Sequence, residues 1–334
     1  MDRSNDAQLI ERIREGTGAR TVELGPSIQS LWSGYGEIRR VQLALTGETP
    51  VSAIVKSVTP PLQRELSRDA AELRSHRRKL RSYAVELSFY RQFASTTTAS
   101  CRVPELIFGR ALDGGFLFVF EDLDAAGYPV RRARVAAPEV AAGLAWLASF
   151  HARFVGVTPE GLWKVGSYWH LATRPDELAA IADHPLRRAA PHIDQRLNQS
   201  RFQTLVHGDA KLENFCFAPD GFSVAAVDFQ YVGGGVGVKD VAYFLSSCVP
   251  AKACTAEVPR YLDAYFAALR AELALHAPHV DGAALEHEWR ELFPWAWADF
   301  HRFLLGWAPG YAAAETYGER LSREVLAVVR PAAR

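Results

Sequence analysis

The segment Leu205-Val206-His207-Gly208-Asp209-Ala210-Lys211-Leu212-Glu213-Asn214-Phe215 sets a carboxylate and a carboxamide five residues apart, in a loop entered from a short apolar run. A second apolar run, residues 223–227, ends in Asp228-Phe229-Gln230. Two hairpin-related strands would deliver Asp209, Asn214 and Asp228 to one place. Asn214 and Asp228 offer hard oxygens, the ligand type that magnesium takes. Asp209 suits a base that orients a hydroxyl and accepts its proton. Lys211, two residues after Asp209, would add an ammonium nearby. Together these groups fit phosphoryl transfer from a magnesium nucleotide, where positioning and charge neutralisation do most of the catalysis. A loop whose polar side chains merely cap turns would present the same letters.

The elements that must hold this set follow from the periodicity. Residues 6–15 read as a short helix. Strands at 28–32, 38–45 and 51–58, joined by turns at 33–36 and 46–50, form an antiparallel meander, which Pro60-Pro61 ends. Residues 62–94 are helical in period, as two helices or one with a break, and place Tyr83, Leu87 and Tyr90 on one stripe. Strands at 103–108 and 115–120 flank the turn Asp113-Gly114. From Pro138 onward the pattern is helical apart from 204–228. The expected fold class is α+β. A small N-terminal lobe, residues 1–121, carries a five-stranded antiparallel sheet with one helix across it. A large, mainly helical C-terminal lobe covers 122–334.

Composition narrows the function classes. Lys+Arg and Asp+Glu each total 38, so the net charge is +0, and no basic block marks a nucleic-acid surface. With 334 residues, 49% of them hydrophobic, the chain can bury a large core. Residues 1–16 lack the apolar core of a secretory signal. The most apolar stretches, such as 116–120, are far short of the ~20 residues a membrane span needs. Cys101, Cys216, Cys248 and Cys254 show neither zinc spacing nor disulfide density. They are expected to be free thiols of a cytoplasmic protein.

The 207–214 segment resembles the kinase catalytic loop, in which the catalytic Asp follows His-Arg and an Asn lies five residues on. Gly208 in place of that Arg, and Asp228-Phe229-Gln230 in place of Asp-Phe-Gly, are similar instead to the aminoglycoside phosphotransferase and choline kinase superfamily, particularly its ecdysteroid-kinase-like branch. The resemblance implies the two-lobed protein-kinase-like fold and dependence on ATP and Mg2+. It also implies the base role for Asp209 and metal roles for Asn214 and Asp228. Lys56, inside an apolar strand, takes on the role of the lysine that binds the α- and β-phosphates and pairs with a helix glutamate. Glu86 is the foremost partner, with Glu72 and Glu65 as alternatives. The residues alone also allow Lys56 to be an edge-strand lysine reaching for solvent.

The turn Ser33-Gly34-Tyr35-Gly36 stands where such proteins cover the phosphates, although an ordinary hairpin turn reads the same. Phe120-Glu121-Asp122-Leu123 looks like the family's hinge, where main-chain groups of Glu121 and Leu123 would bond adenine. Residues 147–154 resemble the helix that packs behind the catalytic loop. His151 and His207 read as structural histidines. Asp240, near a helix start, takes the place of an Asp that fixes the catalytic loop in the resembling families.

Only twelve positions separate Asp228 from Asp240, with no Ala-Pro-Glu motif, so the platform for a peptide substrate is missing. A hydroxyl of a small molecule is the expected acceptor. Phe293, Trp295, Trp297, Asp299, Phe303, Trp307 and Tyr311 form an aromatic-rich stretch that reads either as a cage for a cationic acceptor or as core. Aminoglycoside, choline-like, sugar, amino-alcohol and steroid acceptors stay open, as do ATP against GTP and monomer against homodimer. The alternative function is a pseudokinase-type binding module without turnover. The presence of Lys56, Asp209, Asn214 and Asp228 favours the enzyme.

Overall fold

The structure is a computed structural model that describes residues 3–44, 49–61, 69–312 and 316–329. The chain divides into two compact units, Met1–Thr96 with Val103–Val130, and Thr97–Arg102 with Arg131–Arg334. The expected turn at 46–50, the start of the helical stretch at 62–68, and Glu65 fall wholly or partly outside the described residues.

In the first unit helix α1 (Arg3–Thr17) leads into strands β1 (Thr21–Ser30), β2 (Gly36–Ala44) and β3 (Val51–Val58). Helix α2 (Ala70–Gln92) follows, capped by the Asp69 carboxylate, and then β4 (Leu106–Leu112) and β5 (Gly115–Glu121). The five strands pair antiparallel in the order β1-β2-β3-β5-β4. Both faces of the sheet are covered, which explains why β3 and β5 read as nearly unbroken apolar runs. On one face Val55, Leu117 and Val119 pack with Ile13, and with Leu9 and Ile10, of α1. On the other, Phe116 and Phe120 meet Tyr83 and Tyr90 of α2. The sheet therefore has two helices across it, one per face, where the sequence pointed to one.

The second unit begins with α3 (Ala137–Arg153), α4 (Pro175–Ala179) and α5 (His184–Asn198). Four short strands follow: β6 (Thr204–Val206), β7 (Phe215–Phe217), β8 (Val224–Ala226) and β9 (Gly233–Gly235). Helices α6 (Val238–Cys248), α7 (Cys254–His276), α8 (Gly282–Trp307), α9 (Pro309–Ala312) and α10 (Thr316–Val328) complete it. Helix α8 packs against α5, α6 and α10 and buries Trp289, Leu292, Trp297 and Phe303. This α+β architecture, with a five-stranded antiparallel sheet in one lobe and a mainly helical second lobe, is the one expected. Among the described residues no helix is long and apolar enough to cross a membrane. All four cysteines are free thiols, and burial pushes the Cys248 thiol up to about 12.

Candidate active site

The hairpin β7–β8 places the cation-binding candidates. Phe215 pairs with Ala226, and the ladder continues one step through Val227 N–H to the Asn214 carbonyl at 2.9 Å. Asn214 and Asp228 therefore emerge at the same open end of the hairpin. Strand β6, which leads into the loop, pairs instead with β9. The expected two-strand arrangement is thus two separate strand pairs. Asp228 has a left-handed φ of 68°, uncommon for a residue with a side chain and typical of backbone held in place by its surroundings at functional sites. Gly208 needs its own left-handed φ of 79°, since a Cβ there would lie 2.1 Å from the Tyr231 carbonyl oxygen. An arginine in that position, as in protein kinases, would not fit this loop.

Within the loop, a tight turn runs from Asp209 to Asn214, closed by Lys211 N–H to the Asp209 carbonyl (2.8 Å) and Asn214 N–H to the Lys211 carbonyl (2.9 Å). The Asn214 amide nitrogen donates to the Asp209 carbonyl at 2.7 Å and to its carboxylate at 3.2 Å. With its NH2 directed inward, Asn214 has its amide oxygen as the remaining acceptor. Asp209 is buried, and its carboxyl is pushed up to about 7. Burial is the main cause, and the charge of Asp228 adds to it, while Lys211 and the hydrogen bond from Asn214 oppose it. Burial alone would lower the Lys211 ammonium, yet Asp209, Asp228 and Glu213 hold it above its ordinary value.

The loop is fixed from behind. Asp240, buried at the start of α6, accepts the main-chain N–H of His207 (2.5 Å) and of Gly208 (2.9 Å). His151 on α3 contacts the Asp240 carboxylate at 3.2 Å and the Tyr265 hydroxyl at 2.8 Å. His207 Nε2 donates to the Val227 carbonyl at 3.0 Å, and its Nδ1 accepts from Asp209 N–H at 3.3 Å. Both ring nitrogens are thereby committed to main chain, and burial pushes the ring towards its neutral form.

The first unit gathers the remaining candidates. Lys56 lies on β3, a central strand between β2 and β5, and not on an edge. Its Nζ meets both carboxylate oxygens of Glu86, at 3.0 and 2.7 Å, and the pair is buried. Glu72 instead places its charge near Tyr35. The Ser33–Gly36 turn is pinned to α2: Lys79 Nζ donates to Ser33 Oγ at 2.7 Å, and the buried Tyr35 hydroxyl bonds His76 Nδ1 at 2.6 Å. Gly36, with φ 123°, leaves no room for a side chain, because a Cβ would sit 2.0 Å from the Ser57 carbonyl oxygen. The Gly34 Cβ position opens on free space. At the end of β5, Glu121 N–H donates to the Glu105 carbonyl, and beyond it the Leu123 carbonyl accepts Tyr128 N–H. Asp122 between them had no assigned role in the sequence. It is buried, and it ties three segments together by accepting from Arg40 (2.7 Å), Ser52 (2.6 Å) and Asp124 N–H (3.0 Å).

Most of the aromatic stretch on α8 is core, while Trp307 at the end of the helix is exposed. Asp299 is 1% exposed; its Oδ1 accepts twice from Arg302, at 2.9 and 2.6 Å, and its Oδ2 accepts Trp169 Nε1 at 2.9 Å. Lys239 Nζ lies 3.7 Å away. With two fixed cations beside it, Asp299 has no charge left for a cationic acceptor, and Trp297 and Phe303 are buried in packing. Trp295 is half-buried against His192, and the Tyr311 side chain falls outside the described residues. A second group without an assigned role is Ser247 on α6, whose hydroxyl oxygen accepts Leu212 N–H at 3.0 Å. Its spacing of seven from Asp240 was the available signal, because two helical turns put both on one face.

No curated protein matches this chain. Among solved structures, a microcompartment-associated aminopropanol kinase is 15% identical over 88% of this chain and 90% of its own, with a TM-score of 0.49. An aminoglycoside phosphotransferase of Streptomyces rimosus ATCC10970, solved with ADP and streptomycin, is 19% identical over 89% of this chain and 100% of its own, with a TM-score of 0.41. An aminoglycoside-3'-phosphotransferase of type VIII is 17% identical over 86% and 98%, with a TM-score of 0.39. The family model described as "Phosphotransferase enzyme family" matches residues 44–278, which span the Lys56–Glu86 pair, the 207–214 loop, Asp228 and Asp240. By that match the chain is a member of the phosphotransferase enzyme family, within the aminoglycoside phosphotransferase and choline kinase superfamily.

Proposed function

We propose that this protein transfers the γ-phosphoryl group of ATP to a hydroxyl of a small molecule, with Mg2+ and with Asp209 as the base. The observation that carries the reading is the 209–214 turn, whose Asn214 amide holds the Asp209 carboxylate while its oxygen and the Asp228 carboxylate share the open end of one hairpin.

The donor set fits the metal. Magnesium binds through one or two carboxylates, water and substrate phosphates, and does not require an all-protein cage. Among the described residues no group of three or more His, Cys, Asp or Glu side chains forms such a cage. Asn214 and Asp228 would hold the ion, which when bound neutralises charge on the phosphates. Asp209 accepts the proton of the acceptor hydroxyl as its oxygen bonds to the γ-phosphorus and the bond to the β,γ-bridging oxygen breaks, releasing ADP. A carboxyl near 7 suits proton transfer at neutral pH. Lys211 brings positive charge beside this carboxylate.

In the first unit, Lys56, oriented by Glu86, would contact the α- and β-phosphates, and the main chain of Ser33, Gly34, Tyr35 and Gly36 would cover them. The Glu121–Leu123 main chain would bond adenine; with the Leu123 carbonyl engaged, its N–H is the group on offer. This assigns residues 1–121 to nucleotide binding and 122–334 to catalysis and acceptor binding. A small-molecule acceptor, in a protein of the cytoplasm, completes the reading.

The test is thermal stabilisation by ATP with and without magnesium, followed by a nucleotide-consumption screen across hydroxylated metabolites and antibiotics. A magnesium-dependent shift and consumption with at least one acceptor are expected. No shift at millimolar nucleotide would identify a silent binding module instead.

A further inference from the structure

Helix α2 carries His76, Lys79, Tyr83 and Glu86 at spacings of three, four and three, which places them on one stripe. That stripe meets two parts of the sheet at successive points. Glu86 takes the Lys56 ammonium with both oxygens, and the centre of the Tyr83 ring stands 5.4 Å from the same ammonium. Two turns towards the helix start, Lys79 Nζ donates to Ser33 Oγ at 2.7 Å and lies 4.5 Å from the centre of the Tyr35 ring. One turn further, His76 Nδ1 accepts the Tyr35 hydroxyl at 2.6 Å. Burial and the Lys79 charge push that imidazole towards its neutral form, which suits an acceptor. One helix thus gauges both Lys56 and the Ser33–Gly36 turn.

The two contacts with the turn act on different parts of it. Tyr35 is buried at the foot, where the adjoining Gly36 pairs with Val58 of β3, two residues past Lys56. Ser33 and Gly34 form the tip, and both are left-handed, with φ of 59° and 71°. Gly34 adopts that conformation without steric cost. Ser33 is strained in it, and such backbone persists only where its neighbours hold it. The Lys79 bond falls on the side chain of this strained residue. A tip released from that bond would relax, and ordering it again over the phosphates would oppose nucleotide binding.

We infer that Lys79 is a positioning residue for the nucleotide: through the Ser33 hydroxyl it holds the tip of the turn where the turn covers the phosphates. The inference rests on the nucleotide reading of Lys56 and the turn. Isothermal titration of the full chain with magnesium-ATP and with adenosine tests it. In Lys79→Met and in Ser33→Ala, Kd for magnesium-ATP should rise about tenfold, the worth of one charge-assisted hydrogen bond. Kd for adenosine and the melting temperature should stay native. Ser33→Ala leaves α2 untouched, so a loss there does not come from a damaged helix. The double variant should lose no more than either single one, because both remove the same bond. Lys79→Arg, which can still donate to Ser33 Oγ, should keep most of the affinity. Equal losses for magnesium-ATP and adenosine, or losses that add in the double variant, would overturn the inference. A native chain that binds magnesium-ATP no better than adenosine overturns the nucleotide reading and this inference with it. A native preference for magnesium-ATP that both single variants retain in full overturns the role of Lys79 alone.

Discussion

Asp209 and Asp299 are both buried carboxylates of the helical unit, and their surroundings move them in opposite directions. For both, burial alone raises the pKa. At Asp299 the charges of Arg302 and Lys239, with hydrogen bonds from Arg302, more than reverse that effect and hold the carboxyl below its ordinary range. At Asp209 the neighbour Asp228 is another carboxylate, Lys211 is only half-buried, and the pKa ends at about 7. A carboxylate saturated by fixed cations gives cohesion and has nothing left to offer a ligand. One left under-neutralised costs stability and keeps its oxygens available, which is how charge is distributed at sites that do chemistry.

Replacing each in turn should separate these two kinds of aspartate. Asp209→Asn should lower turnover by about 10²–10⁴-fold, the usual contribution of a positioned base, without lowering the melting temperature, since a repelled charge is removed. Retained turnover would erase the distinction. Asp299→Ala should do the reverse. It strands Arg302 and Lys239 in the interior, a loss of about 3–5 kcal/mol readable as a lower urea midpoint. A triple Asp299→Leu, Arg302→Leu, Lys239→Met chain should recover most of that loss, because no buried charge is left unpaired. If the single and triple variants are equally unstable, packing and not charge explains the site.

The Lys56–Glu86 pair shows whether saturation and service to a ligand can coexist. Lys56→Met removes the ammonium that meets both oxygens of the buried Glu86, at a cost of about 3 kcal/mol, the lower end for breaking such a pair. Lys56→Met with Glu86→Leu should regain the stability but not the nucleotide affinity, measured by ATP titration. Recovery of both would reduce the lysine to a structural role.

What could be read from the sequence, and what could not, follows the same physics. An ammonium in an apolar strand and a carboxylate in an apolar helix each announce a cost that a partner must offset, so Lys56 and Glu86 could be matched 30 residues apart. The five-residue spacing from Asp209 to Asn214 is local and survives in the turn. The pairing of β6 with β9 was hidden because Gly233-Gly234-Gly235 has no side chains to show a period. The contribution of α1 was hidden by a polar helix with a narrow stripe of Leu9, Ile10 and Ile13. Asp299 resembled a ligand-binding acid because two of its partners, Trp169 and Lys239, lie far away in the chain.

Asp122 is the intermediate case and sets the smallest expected effect. It is buried like Asp299, yet its main cation, Arg40, is 39% exposed and screened by water. Burial raises its carboxyl, but the Arg40 and Ser52 hydrogen bonds and the Asp124 N–H outweigh it, leaving the pKa below its ordinary value. A carboxyl depressed in the folded state adds stability that is fully present above its unfolded value, about 3.9, and is lost as pH falls through the folded value. Asp122→Asn should therefore cost about 1 kcal/mol near neutral pH, and the gap to the native chain should close as pH drops below about 4. Urea titrations at several pH values would measure it. A gap that stays constant with pH would mean that Asp122 joins β2, β3 and the end of β5 by shape and neutral hydrogen bonds alone. Partner count would then not be what decides the fate of buried carboxylates in this protein.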